Sequence, residues 1–307
     1  MMATREHPHH RPFFALALRL CSAFVLAALL ACVKLASQSG IHLAEIMFWR
    51  QLPTIPILLT WFALRGQLDV LKTRRTASHA RRSGFGLVGM ALNFGAATLL
   101  PLAVATTLNY SSAIFAVLLS ALVLREPTGP WRWSAVALGF AGVAIIAQPW
   151  GNELPLLGAT IALGAAFMIA LISVQLRDLG RTDHPLTIVF YFSLFTVPVL
   201  ALAMPFVAKS HTPQQWLLLL ACGVIGLLGQ ALLTAALRYG AVASVIVMDY
   251  TGLVWATLFG WLVFANIPPA TTWIGAPLVI GAGILIAWRE HRLGQREPRE
   301  VQAVSSQ

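Results

Sequence analysis

The sequence predicts an all-α membrane protein, with ten transmembrane helices arranged as two inverted five-helix repeats. Three observations carry this expectation. Of 307 residues, 58% are hydrophobic and only 10% charged, where a soluble globular domain has roughly a quarter charged. Apolar runs near the roughly 20 residues that cross a bilayer recur along the whole chain and leave no room for a soluble catalytic domain. The chain also matches itself at an offset of about 140 residues, the mark of an internal repeat.

The elements follow in order. The first apolar stretch, 13–36, has Arg11 before it and Ala36-Ser37 at its end, as a cleavable leader would. With nine further spans behind it, it is expected to stay as the first helix. A second span, 43–64, precedes the one sizeable polar loop, Arg65 to Ser83, which is dense in Lys and Arg. Spans 84–104 and 108–125 are joined by Ala105 to Thr107, a connection short enough to force an antiparallel hairpin. Span 133–149 closes the first half. The second half begins near Gly151 to Leu154 and reads 155–176, 186–207, 214–237, 243–265 and 272–289, with another tight connection at Tyr239 to Ala241. The domain division is a tail (1–12), a first repeat (13–150), a second repeat (151–289) and a second tail (290–307).

Specific matches define the repeat. Ala91-Leu92 recurs as Ala231-Leu232, and Gly86 and Gly89 recur as Gly226 and Gly229. Asn109-Tyr110-Ser111 lines up with Asp249-Tyr250-Thr251, and Trp133 with Trp273. At a slightly larger offset His42, Phe48 and Pro56 match His184, Phe190 and Pro198. Five spans per half is an odd number, so the second half enters the membrane upside-down relative to the first. That is the architecture of secondary transporters, whose site at the repeat interface opens alternately to each side.

Charge sets the orientation. With a cytoplasmic N-terminus, nearly all of the Lys and Arg outside the apolar runs falls on the inside, from Arg5 and Arg11 through the Arg65–Arg82 loop to the tail at Arg289–Arg299. The outside connections keep only Lys209 and the acidic Glu153. Both termini are therefore expected in the cytoplasm. The net charge of +10 is explained by this distribution and not by nucleic acid, for which the basic runs lack aromatic interleaving. Cys21, Cys32 and Cys222 lie inside apolar runs and offer no disulfide framework. His7, His9 and His10 could bind a metal, but a solvated tail is the preferred reading, and nothing calls for a cofactor. The sequence has no HExxH, no GxSxG, no Walker motif and no filter-like loop, which argues against an intramembrane enzyme, an ATP-driven pump and a channel.

The halves resemble EamA domains, and the whole is similar to ten-span members of the drug/metabolite transporter superfamily. The likeness rests on Leu100 to Tyr110, on Ser120 to Pro127 with Glu126 closing an apolar run, and on Asp249-Tyr250 followed by Gly260 to Phe264. It departs at Asn266, where the family often has a second Glu. The stretch His42 to Arg50 is similar to the branch with S-adenosylmethionine and riboflavin carriers. The resemblance implies an inner-membrane carrier with a small-molecule substrate. Export of amino-acid-like metabolites is the first expectation, and uptake of a nucleoside- or vitamin-like compound such as S-adenosylmethionine or riboflavin is the second. Protons are a possible coupling ion, and the protein is expected to be a monomer or homodimer in the bilayer.

Ionisable residues inside apolar spans are the natural site candidates, because hydrocarbon tolerates them only against a partner or a watery cavity. Lys34 near the outer end of span one and Glu45 in span two read equally as a structural pair or as part of the transport path. Arg50 lies deeper, and its guanidinium fork suits a carboxylate or phosphate. Asp249, about 9 Å into span nine at 1.5 Å per residue, is either a proton-coupling group or the partner of a substrate amine. Tyr110 and Tyr250, at matching points of the repeat, each offer a ring with one hydroxyl. Asn93, Asn109 and Gln230 complete the substrate-binding or coupling set.

Overall fold

The computed structural model describes residues 12–122, 130–148, 154–180, 182–239 and 248–294. The histidines at positions 7, 9 and 10, the Arg125–Glu126 pair, Glu153 and the tail from 295 lie outside the described residues. Within them the chain is helical throughout, with no strand. The helices are α1 Pro12–Gln38, α2 Leu43–Gln51, α3 Thr54–Leu64, α4 Thr76–Leu99, α5 Leu102–Asn109, α6 Ser112–Leu122, α7 Pro130–Ala147, α8 Leu156–Leu179, α9 Pro185–Val207, α10 Pro213–Tyr239, α11 Thr251–Phe264 and α12 Ala270–Gly294. Five segments have the length and composition to cross a membrane: Leu16–Gln38, Leu102–Leu119, Leu156–Leu176, Pro185–Val207 and Pro213–Leu233. Shorter apolar helices run over Trp133–Ala147, Thr251–Phe264 and Ala270–Ile286. Their outward faces carry exposed large hydrophobics such as Leu202, Phe206, Leu217 and Ile274, the surface a multi-pass protein gives to lipid.

Three boundaries differ from the sequence expectation. The 43–64 span is broken into α2 and α3 at Leu52–Pro53, where a ring without an N–H enters the helical ladder. Span four starts at Leu102, not at 108: the turn after α4 falls at Leu100–Pro101, and Ala105 to Thr107 is helical. The polar residues Thr76 to Ser83, expected in the loop, form the first two turns of α4. An apolar run locates the hydrocarbon, not the helix, so polar turns that continue it are invisible to hydropathy.

Packing comes in matching sets. The most extensive contacts join α1 to α10, α7 to α12 and α4 to α8. The first and third pair the leading helix of one half with the third span of the other. Matched residues also take matching roles: His42 accepts from the Ala44 N–H at the start of α2, and His184 from the Leu186 N–H at the start of α9, both at 3.2 Å. The matched glycines allow these contacts. A Cβ on Gly89 would lie 3.0 Å from Ile172 of α8, and one on Gly229 would lie 2.8 Å from Leu26 of α1. Between α7 and α12 the backbones nearly touch, since a Cβ on Gly142 would meet the Gly275 carbonyl at 2.8 Å. Small residues let helices without a hydrophobic drive pack this closely.

The two ends of the bundle differ. Where α1 ends, Leu29, Val33, Ile41, Ile46 and Leu219 belong to a large buried cluster. Ala31, Ala97, Leu102 and Ala256 close the layer beside it. Where α1 begins, the helices diverge around a cavity. The loop at this end is fastened down: Thr187 Oγ1 donates to the Val70 carbonyl at 2.7 Å, Arg75 pairs with Asp178, and His79 Nε2 lies 2.9 Å from Asp183.

Candidate functional site

The cavity measures about 450 Å³, inside the 300–1,000 Å³ range of small-molecule sites. Both halves of the chain build it. Its walls are the middle of α1, the end of α2, the middle of α4, the α5–α6 turn, and parts of α8, α9, α10 and the start of α11. Most of the lining is apolar, including Leu26, Met90, Phe94, Ile169 and Ile172. Charge enters at Arg19, Arg50, Arg82 and Asp249.

Six of the expected residues line this space: Arg50, Asn93, Asn109, Tyr110, Gln230 and Asp249. Asn109 Nδ2 donates to Asn93 Oδ1 at 2.6 Å, which leaves the Asn109 carbonyl oxygen unpartnered. Tyr110 donates its hydroxyl to the Asp249 main-chain carbonyl at 2.8 Å. Its ring meets that of Tyr250 edge to face, with centroids 4.9 Å apart. Tyr250 therefore backs Tyr110 and does not line the cavity, and its own hydroxyl presses on Gly283 of α12. Arg50 Nη1 donates to Gln51 Oε1 at 2.6 Å and touches the Met90 sulfur at 3.4 Å. Gln51 Nε2 in turn donates to Thr196 Oγ1, which holds the end of α2 against α9.

Lys34 and Glu45 lie elsewhere and do not meet. Lys34, 4% exposed, donates to the Leu100 carbonyl at 2.5 Å and sits over the Phe264 ring. It satisfies an acceptor at the end of α4, where the helix dipole also favours a cation. Glu45, 2% exposed, has His211 Nε2 at 2.5 Å from Oε1. Both belong to the closed end of the bundle, where Gln215 also donates to the Ser39 carbonyl.

Asp249 already has a cationic partner within the protein. Arg19 grips it with both Nε and Nη2, a bidentate fork. Arg19 went unread although it lies inside an apolar span, the criterion that singled out Asp249. Arg82 was read as part of the cytoplasmic loop, but it is buried in the cavity wall with its guanidinium 4.2 Å from the Phe192 ring. The apolar run starting at 84 concealed it. Among the described residues no cluster of His, Cys, Asp and Glu is arranged to hold a metal.

Comparison with known proteins gives a consistent result. The profile of the EamA-like transporter family matches residues 13–148 and again 156–288. A Vibrio cholerae protein named riboflavin transporter is 30% identical over 299 residues, covering 96% of this chain and 99% of that protein. A Pseudomonas aeruginosa protein named pseudopaline exporter CntI is 31% identical over 271 residues, covering 88% of this chain and 94% of that one. A solved crystal structure aligns with TM-score 0.57 at 22% identity, over 90% of this chain and 99% of that one, and shares its fold.

Proposed function

The chain belongs to the EamA-like transporter family, a membrane transporter and not an enzyme, and on that premise we propose a secondary-active carrier that exports small polar organic metabolites of amino-acid-like type by alternating access. One observation carries the proposal: a chamber of about 450 Å³ built by both repeats, which ends against a packed, hydrogen-bonded layer at one end of the bundle. A through-pore lacks such a layer, and a scaffold has no use for the chamber. The runner-up is uptake of a nucleoside- or vitamin-like solute such as S-adenosylmethionine or riboflavin, supported by the likeness to the Vibrio cholerae protein.

In this reading ten spans form two inverted repeats, 13–150 and 151–289, in an inner membrane with both termini cytoplasmic. The matched helix pairs, the paired histidine caps and the twofold family match support it. The chamber then faces the cytoplasm. Protons are the proposed coupling ion, with Asp249 as the coupling carboxylate and Arg19 as the group that competes for it. Monomer and homodimer fit equally well.

Two experiments test this. Metabolites inside and outside cells lacking the protein, compared with overproducing cells, should redistribute for one compound class, and no redistribution would remove the carrier reading. Asp249→Asn should transport without responding to an imposed proton gradient; a variant with unchanged coupling would exclude Asp249 from that role.

A further inference from the structure

The chamber holds three guanidiniums against a single carboxylate, and the carboxylate is already taken by Arg19. Arg50 and Arg82 remain without an anionic partner among the described residues. Buried Nε of Arg50, and buried Nε and Nη1 of Arg82, find no acceptor among the described residues. Taking a charge out of water costs several kcal/mol, and structural arginines usually recover it through a carboxylate or main-chain carbonyls. Among the described residues these two have Gln51, the Met90 sulfur and the Phe192 face.

The two side chains also share a place. Both line a narrow recess of about 10 Å³, together with Gln51, Thr54 and Gln230, as well as the main chamber. The recess has room for little more than one water. Two guanidinium forks lining one recess can match the lone pairs of a carboxylate or phosphate. The larger space beyond, walled by Met90, Phe94, Ile169 and Ile172, suits an uncharged body.

We infer that the transported solute carries an oxyanion head, a carboxylate or phosphate monoester, gripped jointly by Arg50 and Arg82, with an apolar or aromatic body in the wider chamber. This rests on the carrier reading and gives it a substrate class. Arg82 becomes a substrate-binding residue, and Gln51 a positioning residue that holds Arg50 through the Thr196 link. Asp249 is not required to meet a substrate amine.

The test uses the full chain, purified in lipid-free detergent. Inorganic phosphate and benzoate are titrated at ionic strength held constant with chloride, and thermal unfolding is followed. Saturable stabilisation by at least one of them is expected. It should be lost in Arg50→Gln/Arg82→Gln and weakened about tenfold or more in Arg82→Lys, which keeps the charge and loses the fork. The exposed Arg65→Gln should titrate like the unmodified protein. No saturable shift, an equal shift in the double variant, or stabilisation by phosphatidylglycerol but by no soluble anion would overturn the assignment. The cellular comparison separates the two readings. A redistributed solute that is neutral or cationic ends the oxyanion proposal and leaves the carrier intact. The absence of any redistributed solute ends the carrier reading, while the phosphate and benzoate titrations still decide the subsite.

Discussion

Glu45 illustrates what a buried side chain demands and what a sequence can say about it. Its carboxylate is nearly inaccessible and has His211 beside one oxygen, while the other has no partner among the described residues. Removing the imidazole leaves a buried acceptor unsatisfied, so His211→Ala should lower stability by about 1–3 kcal/mol. Glu45→Gln, which loses the charge with its partner intact, should cost less. Unfolding in detergent measures both, and equal losses would mean that desolvated charge is not the issue. The sequence marks Glu45 and Lys34 as expensive, and of its two readings the structural pair is not formed, because a partner such as His211, far along the chain, leaves no local trace. Arg50 and Asp249 were legible from depth alone. Arg19 stood under the same rule, and Arg82 was hidden by being assigned to a loop.

At the level of elements, the helical class and the apolar segments were readable, since apolar runs of that length are a strong signal. The breaks were less so: Pro53 separates α2 from α3, while α9 continues through Pro198 and Pro205, because a proline kinks or not according to what re-satisfies its neighbours. The matched glycines were visible in sequence, and the structure supplies their partners. Gly89 sits against α8, and Gly226 lies under Arg50, whose Cγ is 3.0 Å from where a Cβ would be. Leucine at either should therefore destabilise by about 1–3 kcal/mol through overpacking, measurable as a lowered unfolding temperature in detergent. Gly226→Leu should also cost transport by displacing Arg50. Full transport with Gly226→Leu would separate Arg50 from the path.

For the whole molecule, a chamber reached from one end and sealed at the other makes an accessibility prediction. In a background with Cys21, Cys32 and Cys222 replaced by Ala, Asn93→Cys and Ser112→Cys should react with an impermeant maleimide in inside-out vesicles and much more slowly in right-side-out ones. Equal rates from both sides would show that the Glu45–His211 end does not seal. The chamber's charge also breaks the likeness of the two halves. At the offset that relates His42 to His184, Arg50 corresponds to Phe192, and each lies over the matched glycine of the other half, Gly226 and Gly86. At the 140-residue offset that relates Gly86 to Gly226, Arg82 corresponds to Cys222. The positive surplus is thus the contribution of one half alone. Its consequence concerns voltage: across a membrane held negative inside, each elementary charge crossing is worth about 2.3 kcal/mol per 100 mV. A net anionic cargo carried without a compensating ion runs downhill outward, so the arginines that select the cargo would also give its efflux an electrical driving force.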